Sequence, residues 1–243
     1  MNKSILQKTF FLLTLLPSST LYSETIKSSL NYTFKDSFER NESQNNKEEI
    51  GNGWISNTEK YAPDHKQVDL LDGTLSINRH ESASHDVSLT QFAPFTDATI
   101  KMKFSFTHEK DSLGISFRDS NYKKTKQGSL IKINISNDEI TLNDITLTPK
   151  ISKKQKNLPL SELPKNILEQ LNKSRVTIPT SLSVDDWHSL EIIIEGDTLS
   201  LSINNTVLGK ISSTGIQHPT KNNMRLYIEK KLLLDDFEIK TLH

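Results

Sequence analysis

The chain has no cysteine. No disulfide can staple it and no thiolate can hold zinc, so its 243 residues must be stabilised by packing alone. Glycine and proline number only eight each, which excludes a collagenous or low-complexity chain. Excess charge is absent too. Thirty Lys and Arg balance thirty Asp and Glu, so nothing draws the whole molecule toward nucleic acid or an anionic membrane. Beyond the N-terminus no apolar run approaches the roughly 20 residues of a membrane-crossing helix. The sequence also lacks a Gly-x-Ser-x-Gly nucleophile elbow, a phosphate-cradling Gly loop and any repeat with a period of about 20–50 residues.

What is present starts with a targeting pattern. Lys3 and Lys8 precede an apolar run at 10–16, Pro17 breaks it, and Leu21-Tyr22-Ser23 is an acceptable cleavage site. Residues 1–23 therefore read as a signal peptide, and the mature protein is expected outside the cytoplasm, in the periplasm or beyond it. Export without cysteine is more typical of a bacterial envelope than of an animal secretory route. No Cys follows the apolar run, which excludes lipoprotein processing. Residues 24–243 are enough for one β-sandwich domain with a sizeable core.

Strand patterning dominates that domain. Ala98, Ile100, Met102, Phe104 and Phe106 alternate with Thr99, Lys101, Lys103 and Ser105, as on a half-buried strand whose successive side chains point to opposite faces. Leu190, Ile192 and Ile194, then Leu199, Leu201 and Ile203, share one face of a meander. Gly196-Asp197 and Asn204-Asn205 supply its turns, because these residues tolerate positive φ. Asp72-Gly73 marks another hairpin. About a dozen short strands predict an all-β antiparallel sandwich. One stretch departs from this pattern. Residues 149–179 are Lys-rich, and Leu160, Leu163, Ile167, Leu168 and Leu171 recur at helical spacing, which predicts a partly helical insertion covering an edge of the sandwich or walling a groove.

The order of short motifs carries a resemblance. Asp36-x-Phe38-x-Arg40 is followed by Gly53-Trp54, Asp72-Gly73-x-Leu75, Trp187-His188-x-Leu190-x-Ile192 and Leu201-x-Ile203-Asn204. Gly215-Ile216-x-His218-Pro219-Thr220-Lys221 and Leu234-Asp235-Asp236-Phe237-Glu238-Ile239 close the series. Across most of residues 31–242 this resembles the concanavalin A-like lectin/glucanase jelly rolls exported by planctomycete and verrucomicrobial bacteria. Those domains are related to 3-keto-disaccharide hydrolase-like, family 16 glycoside hydrolase-like modules. The resemblance implies a jelly roll and a carbohydrate-associated role, with polysaccharide or glycan as partner.

Chemistry is harder to find. Retaining glucanases of this fold resemble one another in a strand bearing Glu-x-Asp-x-x-Glu or a form one residue shorter, whose carboxylates gather on one face; no such run occurs here. Glu191 and Glu195 share a face but lack the intervening Asp, and read as solvent-side partners of an apolar face. Ser82 or Ser84 with His85 and Asp86 has triad composition, but adjacent residues on one loop rarely meet in triad geometry. No catalytic residue is assigned. Trp54 and Trp187 read as core anchors. The ligand-binding candidates are Arg79, His85, Arg118, Asp119 and Tyr122: guanidinium and carboxylate groups can hydrogen-bond hydroxyl pairs, and an aromatic face can stack on a sugar ring. Asp36 and Asp236 are candidate calcium ligands, since first and last strands lie side by side in such sandwiches and a hard cation could bridge them. No other cofactor is expected. A carbohydrate-binding, lectin-like module is the leading expectation. A divergent glycoside hydrolase and a structural envelope protein are the alternatives.

Overall fold

A computed structural model describes residues 32–152, 155 and 157–242. The signal-peptide reading at 1–23 lies outside these residues.

Among the described residues, alternation builds two antiparallel sheets from fifteen strands. The first sheet contains β1 (Thr33–Asp36), β3 (Val68–Leu71), β4 (Thr74–Asn78), β6 (Ala98–Ser105), β11 (His188–Glu195), β12 (Thr198–Ile203), β13 (Thr206–Ser212) and β15 (Lys231–Thr241). Its order is β13-β12-β11-β6-β15-β4-β3, and β1 lies beside the C-terminal half of β15. The second contains β2 (Ile55–Ser56), β5 (Val87–Phe95), β7 (Ser112–Arg118), β8 (Ser129–Ser136), β9 (Glu139–Asp144), β10 (Arg175–Pro179) and β14 (Lys221–Ile228), in the order β10-β9-β8-β7-β14-β5-β2. The chain crosses between layers repeatedly, so strands distant in sequence become neighbours.

Between the layers lies one continuous apolar core. Ile100, Phe104, Ile192 and Leu201 from the first sheet and Leu89, Ile115, Ile133 and Leu226 from the second are all fully buried in it. Each comes from the inward parity of its strand, as the alternation requires. Trp54 joins the core and packs edge-on to Phe237 at 5.0 Å. Trp187 does not, and is 43% exposed. The same alternation explains it: with His188, Leu190 and Ile192 inward, the residue before His188 points outward.

The insertion has two halves. Helix α1 (Thr58–Tyr61) belongs to the N-terminal loops; the insertion's helix is α2 (Lys165–Ser174), which begins just after Pro164. Leu163 is buried and Ile167, Leu168 and Leu171 are half-buried, but Leu160 sits in a preceding 3₁₀ turn and is exposed. The predicted apolar face is thus shorter than its spacing implied, because Pro164 delays the helix start. Residues 175–179 are not lid. They form edge strand β10, paired with β9 from Arg175 opposite Asn143 to Pro179 opposite Glu139.

Candidate functional site

The outer face of the second sheet is set by register. Inward residues Met224, Leu226 and Ile228 turn Asn223, Arg225 and Tyr227 outward on β14. Arg225 lies between Thr90 of β5 and Ser116 of β7, and Ser116 lies beside Lys132 of β8. One row of the face therefore reads Thr90, Arg225, Ser116, Lys132. The adjacent rows hold Ser88, Tyr227, Gly114 and Asn134 on one side, and Phe92, Asn223 and Arg118 on the other. Gly114 sits at a close approach: a Cβ there would lie 3.2 Å from the Cβ of Tyr227, which would have to shift slightly to accept it. Its absence leaves room for Tyr227 on the sheet surface.

A cavity of about 250 Å3 opens on this face. Arg225, Tyr227, Lys132 and Ser129 form its floor. Tyr61, His85 and Asn57 close one side, with Lys126 and Gln127 on another. The rings of Tyr61 and His85 stack at 4.2 Å. The Tyr227 ring has Lys132 Nζ at 5.6 Å from its centre and the Arg225 guanidinium at 6.0 Å, so cations border an aromatic surface.

Gln127 organises the cations. Its carbonyl accepts from Nε of Arg118 at 3.0 Å and from Nη2 of the same residue, and its side-chain oxygen accepts from Arg225 Nη1 at 3.2 Å. Arg225 Nε donates to Thr90 Oγ1 at 2.9 Å. Gln127 holds these contacts at a φ of 57°, a left-handed conformation that costs a non-glycine residue about 1 kcal/mol or more. Gly128, at φ 70°, follows it. A Cβ on Gly128 would lie 1.9 Å from the carbonyl oxygen of Asp119, so only glycine closes this turn against β7.

Like charges oppose one another here. Burial, then the charge of Arg225, lowers the pKa of the Arg118 guanidinium. Loss of hydration, then Lys126, Arg118 and Arg225, lowers that of the Lys132 ammonium. No carboxylate offsets them from the strands below: β5, β7, β8 and β14 contain no Asp or Glu on either face.

The structure brings His85 and Arg118 to this face and places the other candidates elsewhere. Arg79 donates to the carbonyls of His85 at 3.1 Å and Ala83 at 2.6 Å, so it fixes the loop that presents His85. Asp119 is buried. It accepts from Thr220 Oγ1, Asn222 Nδ2 and the Asn121 N–H, and meets His218 Nε2 at 3.0 Å. Burial alone would raise its pKa, but these partners hold it below the usual carboxylate range. Tyr122 is half-buried with its ring edge against His218. Both are occupied in locking loops together. Ser84 Oγ meets His85 Nδ1 at 3.0 Å, but among the described residues no carboxylate bonds to that imidazole, so no relay forms.

Asp36 and Asp236 do not fit a calcium shell, which needs six to eight oxygens. Strands β1 and β15 do pair, yet each carboxylate meets a cation. Asp36 is buried between Arg40 and the Trp54 indole N–H, and Asp236 pairs with Lys103 at 2.7 Å. Among the described residues no group of three or more His, Asp or Glu could hold a metal. A larger hollow of about 390 Å3 lies here, on the outer face of the first sheet. It is crossed by the pairs Lys35–Glu238, Lys101–Glu191 and Lys103–Asp236, so its charges are already matched.

Sequence reasoning missed Tyr61, Lys126, Gln127, Lys132, Arg225 and Tyr227. Alternation along β8 and β14 held the signal for Lys132, Arg225 and Tyr227. Nothing in the sequence placed Gln127.

No protein-family model and no curated protein matches the chain. Solved structures do. It is similar to the laminarinase from Rhodothermus marinus (TM-score 0.57, 10% identity, covering 87% of this chain and 98% of that one). It is also similar to LamA from Z. galactanivorans in complex with laminaritriose and laminaritetraose (0.51, 12%, 85% and 97%). A Bacillus subtilis protein of unknown function with a galectin-like fold matches at 0.52 and 10%, covering 85% and 94%. The chain therefore shares the antiparallel jelly-roll sandwich fold of these structures.

Proposed function

We propose that this is an exported jelly-roll module that holds carbohydrate on the outer face of its second sheet without cleaving it. One observation carries the reading. That face joins an aromatic surface, Tyr227, to a row of hydrogen-bonding side chains, while its four central strands contain no carboxylate. Retaining hydrolysis needs two carboxyl groups about 5–5.5 Å apart, and inversion needs them about 6.5–9.5 Å apart. Among the described residues, Asp86 is the only acidic one lining the cavity. Kinship with 3-keto-disaccharide hydrolase-like modules belongs to the same proposal, as does release beyond the inner membrane after cleavage near Ser23.

Binding is tested by affinity electrophoresis in gels containing soluble polysaccharides, with reducing-sugar release assayed in parallel. Retardation without release is the expected result. Tyr227→Ala should weaken binding about tenfold, since an aromatic contact contributes about 0.5–1.5 kcal/mol beyond its buried area. Release of sugar that survives substitution of Asp86 but not of Tyr227 would show a hydrolase built differently. Absence of retardation in every gel would remove the carbohydrate reading.

A further inference from the structure

Resting on that reading, we infer that the glycan held by this face is acidic, carrying carboxylate or sulfate groups that meet Arg225, Lys132, Arg118 and Lys126. A site for neutral sugar would mix donors with acceptors, because each hydroxyl both donates and accepts. This site is biased toward donors. Four cations border the floor of the cavity or the row beside it, against one carboxylate at the rim, Asp86. The chain as a whole has no net charge, so the imbalance is local.

Geometry supports an anion more directly. Arg118 uses Nε and Nη2 on Gln127, and Arg225 uses Nε on Thr90 and Nη1 on Gln127. Each guanidinium thus keeps one terminal nitrogen without a partner among the described residues. Both are held in place, so little side-chain entropy remains to be lost on binding. Lys132 and Lys126 make no ion pair among the described residues. Arg225 and Lys132 stand two strands apart, about 10 Å. Successive acidic groups along a chain laid across the strands could therefore reach both, with the intervening ring over Tyr227. An arriving anion also relieves the repulsion that the cations exert on one another. The strained turn at Gln127 keeps the two guanidinium groups close despite that repulsion.

The test uses the full chain and four probes: polygalacturonate for carboxylate, dextran sulfate for sulfate, laminarin for a neutral glucan, and duplex DNA for a non-glycan polyanion. Affinity is measured by isothermal titration at low and at physiological salt. Expected is binding to one or both acidic glycans that weakens with salt and exceeds laminarin by at least about tenfold, the effect of one charge-assisted hydrogen bond. Arg225→Gln and Lys132→Gln should each lower that affinity about tenfold and flatten its salt dependence. Lys101→Gln, on the opposite sheet, should change neither. Equal affinity for laminarin, untouched by the two variants, would overturn the acidic ligand and leave the carbohydrate reading standing. Binding to none of the glycans would overturn both. DNA bound as tightly as either acidic glycan, and lost with the same variants, would replace the glycan with a generic polyanion. Because Lys132 is exposed, its variant tests the idea even if Arg225→Gln fails to fold.

Discussion

Asp36 shows how a residue chosen for one role serves another. Its carboxylate accepts from Arg40 Nη1 at 2.6 Å and Nη2 at 3.0 Å, from the Phe38 N–H at 2.9 Å and from the Trp54 indole at 2.9 Å. Burial by itself would raise its pKa. The Arg40 fork, the Phe38 N–H and the indole outweigh that and hold it below the ordinary carboxylate value. Since the folded pKa is the lower one, this contribution is complete above the unfolded value and is lost as pH falls through the folded one. Asp36→Asn should cost about 3 kcal/mol at neutral pH and flatten acid destabilisation, as read from urea unfolding across a pH series. Lys221 is the reverse case. Burial pushes its pKa down to about 8 although Asp97 pulls the other way, and its ammonium donates to the carbonyls of Thr96 and His218. Below about 8 both states hold the proton and the desolvation penalty is complete. Between 8 and an ordinary lysine value the unfolded chain binds more protons, so raising pH through that window should stabilise the fold. Lys221→Met should remove that rise, and an NMR titration of the Lys221 side chain should show a midpoint near 8.

At the scale of elements, the turn Lys126–Gly128 decides the site. It connects to β8, returns a carbonyl to the Asp119 N–H at 2.9 Å and anchors Arg118 and Arg225 through Gln127. Gly128→Ala should destabilise the protein by about 2 kcal/mol or more, because the added methyl meets backbone and the positive φ is strained as well. The proposed carbohydrate affinity should fall further than stability does, as shown by comparing thermal unfolding with binding at a temperature where the variant is folded. Edge strand β10 teaches a related lesson. The stretch 175–179 follows a helix and carries two apolar residues, Val176 and Ile178, too few to separate a strand from the end of an insertion. Its identity comes from β9, whose free edge it pairs with.

Across the whole molecule the two sheets share one core but differ in the charges they present outward. Ion pairs cover the first sheet's outer face, while the cavity on the second's is bordered by cations that make no ion pair among the described residues. A single continuous core predicts one cooperative unfolding transition, with tryptophan fluorescence and far-UV circular dichroism coinciding in urea. Phe104→Ala, at the centre of the first sheet, should lower stability by about 3–5 kcal/mol and shift both signals together. Separate transitions would mean that the sheets fold independently.

Alternation is a local property, so the sequence alone determined the core parity of the clearest strands: Ile100, Phe104, Ile192 and Leu201 were legible from period two. The turns at Asp72-Gly73 and Asn204-Asn205 were legible for the same reason, since φ preference belongs to the residue. Only the tertiary structure decided that β14 lies between β5 and β7, and hence that Arg225 stands between Thr90 and Ser116 with Lys132 beyond. Those two neighbours of β14 are strands more than a hundred residues away in the chain. That pairing depends on how the whole core closes, and no short window of sequence contains it.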